Sequence, residues 1–205
     1  MQAMPKAVFV ATPLSPGYRS RLVLGMLSAL AEKGYLEVSV MDIVRHAKVS
    51  KRTFYEHFAD KEACFLEAYA AVSDELLRRV AVAATHGQTA EDKLSGTIAA
   101  YFTALQEQRS FLRAFLSEVH AAGPRALALR RKILQRFAEL LRSMVQAVRV
   151  REPAVKELSP EMATVIVGGI HELLLLTLEQ GGIDRLPQIG ATTNALIRAV
   201  LAPGL

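Results

Sequence analysis

The sequence predicts an all-α protein of about nine helices. Three observations carry this. Ala, Leu, Arg, Glu and Gln dominate the 205 residues, and these side chains lose little freedom in a helix. No run alternates β-branched and aromatic residues as a half-buried strand would. Starts built from Ser, Asp and Pro, and stops built from Gly and Pro, recur at helical intervals along the chain. Hydrophobic residues make up 51% of the composition, enough for a real core at this length. The one cysteine, Cys64, cannot form an internal disulfide, which suits a reducing cytoplasm. Its neighbours read as core, so it is expected to pack rather than react.

Residues 1–16 carry one lysine and no apolar run of signal-peptide length, and are expected to form a loose arm. Ser15-Pro16 is a cap followed by Pro at the first helical position, so the first helix is expected from there to Gly34. Ser39 caps a second helix, with Asp42 as the acid of a capping box. Ser50 caps a third, which opens Lys51-Arg52-Thr53. Phe54 and Phe58 lie four apart on one face and point inward, while Tyr55 and His57 fall outside that stripe. Asp60 caps a fourth helix, expected to reach about Ala84, where Thr-His-Gly-Gln breaks it.

Two short helices joined by a tight turn, the second led by basic and hydroxyl side chains, form the pattern of a helix-turn-helix. The segment resembles the DNA-binding domain of the TetR family of transcriptional regulators. The residues that carry the likeness are Gly34-Tyr35, Ser39-Val40, Ile43, Ala47, Val49-Ser50, Thr53-Phe54-Tyr55, His57-Phe58 and Lys61-Glu62. They span roughly the first third of the chain. One position departs: Lys48 stands where the family usually has Gly. A left-handed residue there would cost a non-Gly side chain about 1 kcal/mol.

Further helices are expected over Glu91–Gln106, Ser110–His120, Pro124 to about Val150, Ser159 to Gly181-Gly182, and about Pro187–Ala202. The division between DNA-binding and C-terminal parts is expected inside the fourth helix. Residues 1–65 form the DNA-binding domain with its arm, and 66–205 a helical effector-binding and dimerisation domain. Charge is unevenly spread: residues 124–151 hold eight Lys/Arg against one Asp/Glu. That helix reads either as a solvated face or as a second anionic contact. The most apolar stretch, Ala163–Leu178, is interrupted by Gly168, Gly169, His171 and Glu172. It falls short of the roughly 20 residues of a bilayer span and reads as a buried helix, so no membrane partner is expected.

No catalytic motif and no metal spacing is present: no phosphate-cradling Gly-rich loop, no His-Glu-x-x-His and no Gly-x-Ser-x-Gly. The chain is therefore not expected to be an enzyme or to hold a cofactor. For DNA, the expected contacts are Ser39, Lys48, Ser50, Lys51, Arg52, Thr53, Tyr55, His57 and Lys61. Lys51, Arg52 and Thr53 lie in the turn that reaches base edges, with either basic residue able to read a base. Tyr55 and His57 suit phosphates. Lys61 is placed where a helix start already favours one.

The final helices are more apolar than one buried face requires, and a second copy is the simplest cover. The resemblance implies the same: a homodimer through residues 160–202 on a near-palindromic operator. It also implies a small apolar effector bound among the C-terminal helices. The candidates are Tyr101, Phe102, Phe111, Phe115, Met144, His171 and Glu172, with Glu118 and His120 as further polar groups. The leading expectation is a cytoplasmic repressor released by that effector. The alternatives are the same regulator without an inducer, or a carrier of apolar molecules on this fold.

Overall fold

Ser39 shows how the local chemistry of the sequence sets the fold. Its hydroxyl accepts from the Asp42 amide at 3.3 Å, and its own amide donates to Asp42 Oδ2 at 2.9 Å, closing a capping box. In the computed structural model, which describes residues 17–107, 112, 115, 116 and 118–202, helix α1 spans Tyr18–Glu32, α2 Val40–Ala47, α3 Lys51–His57 and α4 Lys61–Ala83. Then come α5 (Ala90–Glu107), a short tight turn at Glu118–His120, and α6 (Pro124–Arg149). After α7 (Pro160–Glu179) and a second tight turn at Ile183–Arg185, the chain ends in α8 (Leu186–Leu201). The fold is all-α, with eight helices and no strand among the described residues.

The expected starts at Ser50, Asp60 and Ser159 are all realised. Each side chain accepts from the backbone three residues on: Thr53 N at 3.0 Å, Ala63 N at 2.6 Å and Met162 N at 3.1 Å. The Ser15-Pro16 start lies outside the described residues, as do five of the eleven residues of the helix expected over Ser110–His120; Leu112, Phe115 and Leu116 are helical. Its last three residues form the tight turn. The start of α5 had a signal that the sequence reading passed over: Thr89 and Asp92 form a second capping box, with bonds of 3.0 and 3.1 Å.

The chain packs as two units. Of the described residues, those from 17 to 75 and between 112 and 130 form one; 76 to 107 and 131 to 202 form the other. In the first, Leu22, Val23, Met26, Leu27 and Leu30 recur on one face of α1 and are buried, as are Ile43 and Val44 of α2 and Phe54 of α3. Gly25 lets α1 lie directly on α2: a Cβ there would sit 2.5 Å from the Ile43 carbonyl oxygen. A stack of rings extends this core. Phe65 and Tyr69 of α4 lie 6.0 Å apart, and Phe115 lies 5.1 Å from Tyr69, all nearly parallel. Burial pushes the Tyr69 phenol up to about 12 and raises the Cys64 thiol further, so Cys64 is an inert core residue.

In the second unit, α5 packs on α8 and α8 on α7. One end of the α5–α8 contact is polar: Asn194 Nδ2 donates to Ser95 Oγ at 3.0 Å, and Arg198 pairs with Glu91 at 2.7 Å. Within the single chain α7 is buried on one face only. Ala163, Ile166, His171, Leu174 and Thr177 are buried, yet Val165 is 66% exposed, and Met162, Leu173 and Leu176 are exposed beside it. The 20-residue helix has a mean hydropathy of 1.5, which on length and composition alone would suffice to cross a membrane. It also carries Glu161, Glu172 and Glu179.

Candidate nucleic-acid interface

Helix α3 is short, and what holds it determines what it can present. Ser50 starts it, and Phe54 and Phe58 anchor it in the core. From α1, Arg19 reaches the end of α3: Nη1 donates to the His57 carbonyl at 2.8 Å, and the guanidinium lies 4.5 Å from the Phe58 ring centroid. The rest of that guanidinium pairs with Glu67 on α4. α3 is thus fixed from two sides, and Lys51, Arg52, Tyr55 and Glu56 are left exposed on its outer surface.

The turn before α3 is equally constrained. Lys48 adopts the left-handed conformation, φ 53° and ψ 48°, the geometry for which Gly is the usual residue. The ordinary penalty is tolerated because the surroundings fix it. The Lys48 amide bonds back into α2, and Arg21 donates to the carbonyls of Ala47 and Lys48 at 3.0 and 2.6 Å. The Lys48 side chain stays exposed.

A family model for bacterial regulatory proteins of the tetR family matches residues 27–68, the span that holds α2, α3 and the start of α4. The chain carries a TetR-family DNA-binding domain. A curated relative, the uncharacterized HTH-type transcriptional regulator YuxN of Bacillus subtilis (strain 168), is 28% identical over 92 residues. That match spans 45% of this chain and 32% of the relative's own length. The transcriptional regulator FadR from Bacillus subtilis, solved in complex with stearoyl-CoA, superposes with a TM-score of 0.72 at 18% identity, covering 91% of this chain and 99% of its own. The fatty acid degradation regulator FadR from Bacillus halodurans gives 0.75 at 15% identity, over 90% and 98%. These neighbours share the fold of this chain.

Within this TetR-family domain the structure gives the anticipated DNA contacts different standings. Lys48, Lys51, Arg52 and Tyr55 are exposed and open. Ser39 and Ser50 use their hydroxyls as caps, and Thr53 Oγ1 lies 2.8 Å from Ser50 Oγ. His57 is half-buried, its ring 6.4 Å from that of Tyr18. Lys61 differs most from expectation. Its ammonium donates to the carbonyls of Tyr35 and Val38 at 2.9 and 2.8 Å and lies 4.4 Å from the centre of the Tyr35 ring. It clamps the turn before α2 rather than pointing outward, and burial lowers its pKa. Arg19, Arg21 and Gly25 carry as much of the geometry as any expected residue.

The ligand candidates are divided between the two units. Phe111 lies outside the described residues. Phe115 belongs to the ring stack of the first unit. In the second unit, Tyr101 stands edge-on to Phe102 and Phe137, with centroids 5.2 and 5.9 Å away. Met144 is half-buried, His171 is buried, and Glu172 reaches solvent. Between α5 and α8 lies an open cavity of about 290 Å³, lined by residues that include Ile98, Phe102, Thr103, Pro187, Ala191 and Asn194. Phe102 is the one sequence candidate on its wall. Among the described residues, no group of three or more His, Cys, Asp or Glu is placed to hold a metal ion.

Proposed function

We infer that the protein is a cytoplasmic, homodimeric transcriptional regulator. It reads a near-palindromic operator through α3 and leaves it when an apolar effector binds. The observation that carries this reading is the outer surface of α3: Lys51, Arg52 and Tyr55 exposed together on a helix capped by Ser50 and braced by Arg19, after a turn held by Arg21. Lys51 and Arg52 are assigned to base edges, and Tyr55, His57 and Lys48 to phosphates. In this assignment Ser39, Ser50 and Thr53 act by holding helix ends.

The exposed apolar stripe of α7 supports the dimer. Met162, Val165, Leu173 and Leu176 recur along one side of the helix, and a Cβ at Gly168 or Gly169 would meet open space. A facing copy of the helix would bury these residues. In such a dimer the recognition helices lie about 34–36 Å apart or a multiple of it, one turn of DNA per step.

For the effector, long-chain acyl-CoA is the first compound to try, because FadR of Bacillus subtilis shares the fold and was solved with stearoyl-CoA. The cavity between α5 and α8 is the candidate for the apolar part of such a compound, and the basic residues of α6 are the candidates for its phosphates. That Phe102 alone of the ligand candidates lines this cavity favours a second reading, a regulator of this fold with no small-molecule inducer. An electrophoretic shift assay against the chain's own upstream DNA tests the reading. A discrete shift by a dimer, reversed by acyl-CoA, is expected. A shift that no apolar compound reverses selects the second reading, and no shift at any sequence removes both.

A further inference from the structure

The exposed side of α3 carries two pairs spaced four residues apart. Lys51 Nζ lies 5.9 Å from the Tyr55 ring centroid, and Arg52 Nε donates to Glu56 Oε1 at 3.0 Å. The Arg52 side chain is 90% exposed and that of Glu56 53%. An ion pair this open adds too little to a helix for stability to be its main consequence. Its position matters more. A carboxylate on the surface that meets DNA faces a polyanion, and arbitrary DNA draws its affinity almost wholly from phosphate charge. Glu56 therefore weakens every encounter that lacks a compensating contact. The compensation lies beside it. Because Arg52 is held through Nε, its two terminal nitrogens remain free, and those can grip O6 and N7 of a guanine together.

We propose that Glu56 is a specificity residue of the operator contact. It holds Arg52 so that the guanidinium presents its terminal fork to a guanine, and its charge penalises DNA bound without that contact. The inference rests on α3 being the helix that enters the major groove. Glu56 is a positioning residue for Arg52 and reads no base itself.

The test uses the full-length protein. A randomised duplex library is selected with the wild-type chain. The enriched duplex and an unrelated duplex of equal length then serve as probes for Glu56→Gln, Glu56→Ala, Arg52→Ala and the double variant, across a range of salt. Glu56→Gln keeps an acceptor for Nε and loses the charge. Its affinity for the unrelated duplex should rise about threefold or more, with base preference retained. Glu56→Ala should show the same rise and also lose preference for guanine at one position in each half-site. In the Arg52→Ala background it should change base preference no further. Both side chains are exposed, so melting temperatures should stay at the wild-type value, which separates the effect from a structural one.

The proposal is overturned if Glu56→Ala leaves both the unrelated-DNA affinity and the base preference unchanged. It is also overturned if Glu56→Ala erases a cytosine preference that persists in Arg52→Ala, since Glu56 would then read cytosine N4 directly. A wild-type chain that enriches no sequence would remove the α3 reading and the Glu56 role together. The other outcomes remove the Glu56 role alone.

Discussion

Arg21, on the first helix, donates from Nη2 to the carbonyl of Lys48 at 2.6 Å and from Nε to that of Ala47 at 3.0 Å. These carbonyls lie at the end of α2, where no further turn of that helix can satisfy them. The guanidinium is their cap. It also fixes the strained residue between the two helices that would meet DNA.

Removing that cap should loosen the turn. Arg21→Ala is expected to cost about 1–2 kcal/mol in a urea titration and to weaken operator binding. Lys48→Gly should act in the opposite sense on stability, gaining about 0.5–1 kcal/mol as the left-handed strain is relieved. Its DNA affinity should fall through the lost charge, with a shallower salt dependence. A Lys48→Gly protein less stable than wild type would contradict the positive φ as a source of strain.

Gly25 gives the reverse of the usual helix rule. Alanine is ordinarily the better helix former, yet Gly25→Ala should destabilise by about 1–3 kcal/mol. Its Cβ would meet the Ile43 carbonyl oxygen at 2.5 Å and the Ala47 Cβ at 3.0 Å. Backbone against backbone leaves nothing flexible to yield. Thermal melting of the variant checks this.

Acid should reveal the Asp42 capping box. The Ser39 hydroxyl first, then the Ser39 amide and Lys33, hold the Asp42 carboxyl well below the usual carboxylate range. A carboxyl with a depressed folded pKa stabilises fully above its unfolded value, near pH 4, and loses that contribution as pH falls toward the folded one. Asp42→Asn should therefore lower the melting temperature at pH 7 and narrow its gap from wild type near pH 3. An unchanged gap would show that the carboxylate contributes nothing through its charge.

Two residues of α7 should separate assembly from folding. Val165 is 66% exposed and Leu174 fully buried. Val165→Asp is expected to give a folded monomer, seen by sedimentation, that keeps its helical circular dichroism and loses operator binding. Leu176, 45% exposed, offers an equivalent site. Leu174→Asp would bury an unpaired carboxylate and should unfold the second unit. A Val165→Asp protein that remains dimeric would move the interface elsewhere.

Features set within one turn of helix were legible in the sequence. Ser39, Ser50, Asp60 and Ser159 all cap as their neighbours imply, because donor and acceptor are three residues apart. Features that depend on distant partners were not. Nothing near Arg19 in the chain points to His57 or Glu67, and nothing near Lys61 points to Tyr35 and Val38. Nothing near Phe115 in the chain points to the rings of Phe65 and Tyr69 that it meets. The Thr89–Asp92 box was readable by the same rule as Ser39–Asp42 and was passed over. The apolar surplus of α7 was legible too, but composition does not tell which of its faces is buried within the chain and which is left open.

The ring stack of Phe65, Tyr69 and Phe115 bears on how operator preference could be exchanged between proteins of this fold. A hybrid made by joining the first four helices of one parent to the remainder of another would seat Tyr69 against a foreign surface. Tyr69 would then lose a neighbour it touches almost face to face. A transplant that preserves the reading head must therefore bring a second, non-contiguous piece, the stretch holding Phe115 and running to 130. Evolution faces the same coupling, so residues of that stretch should co-vary with Phe65 and Tyr69 more than with their own neighbours in the chain.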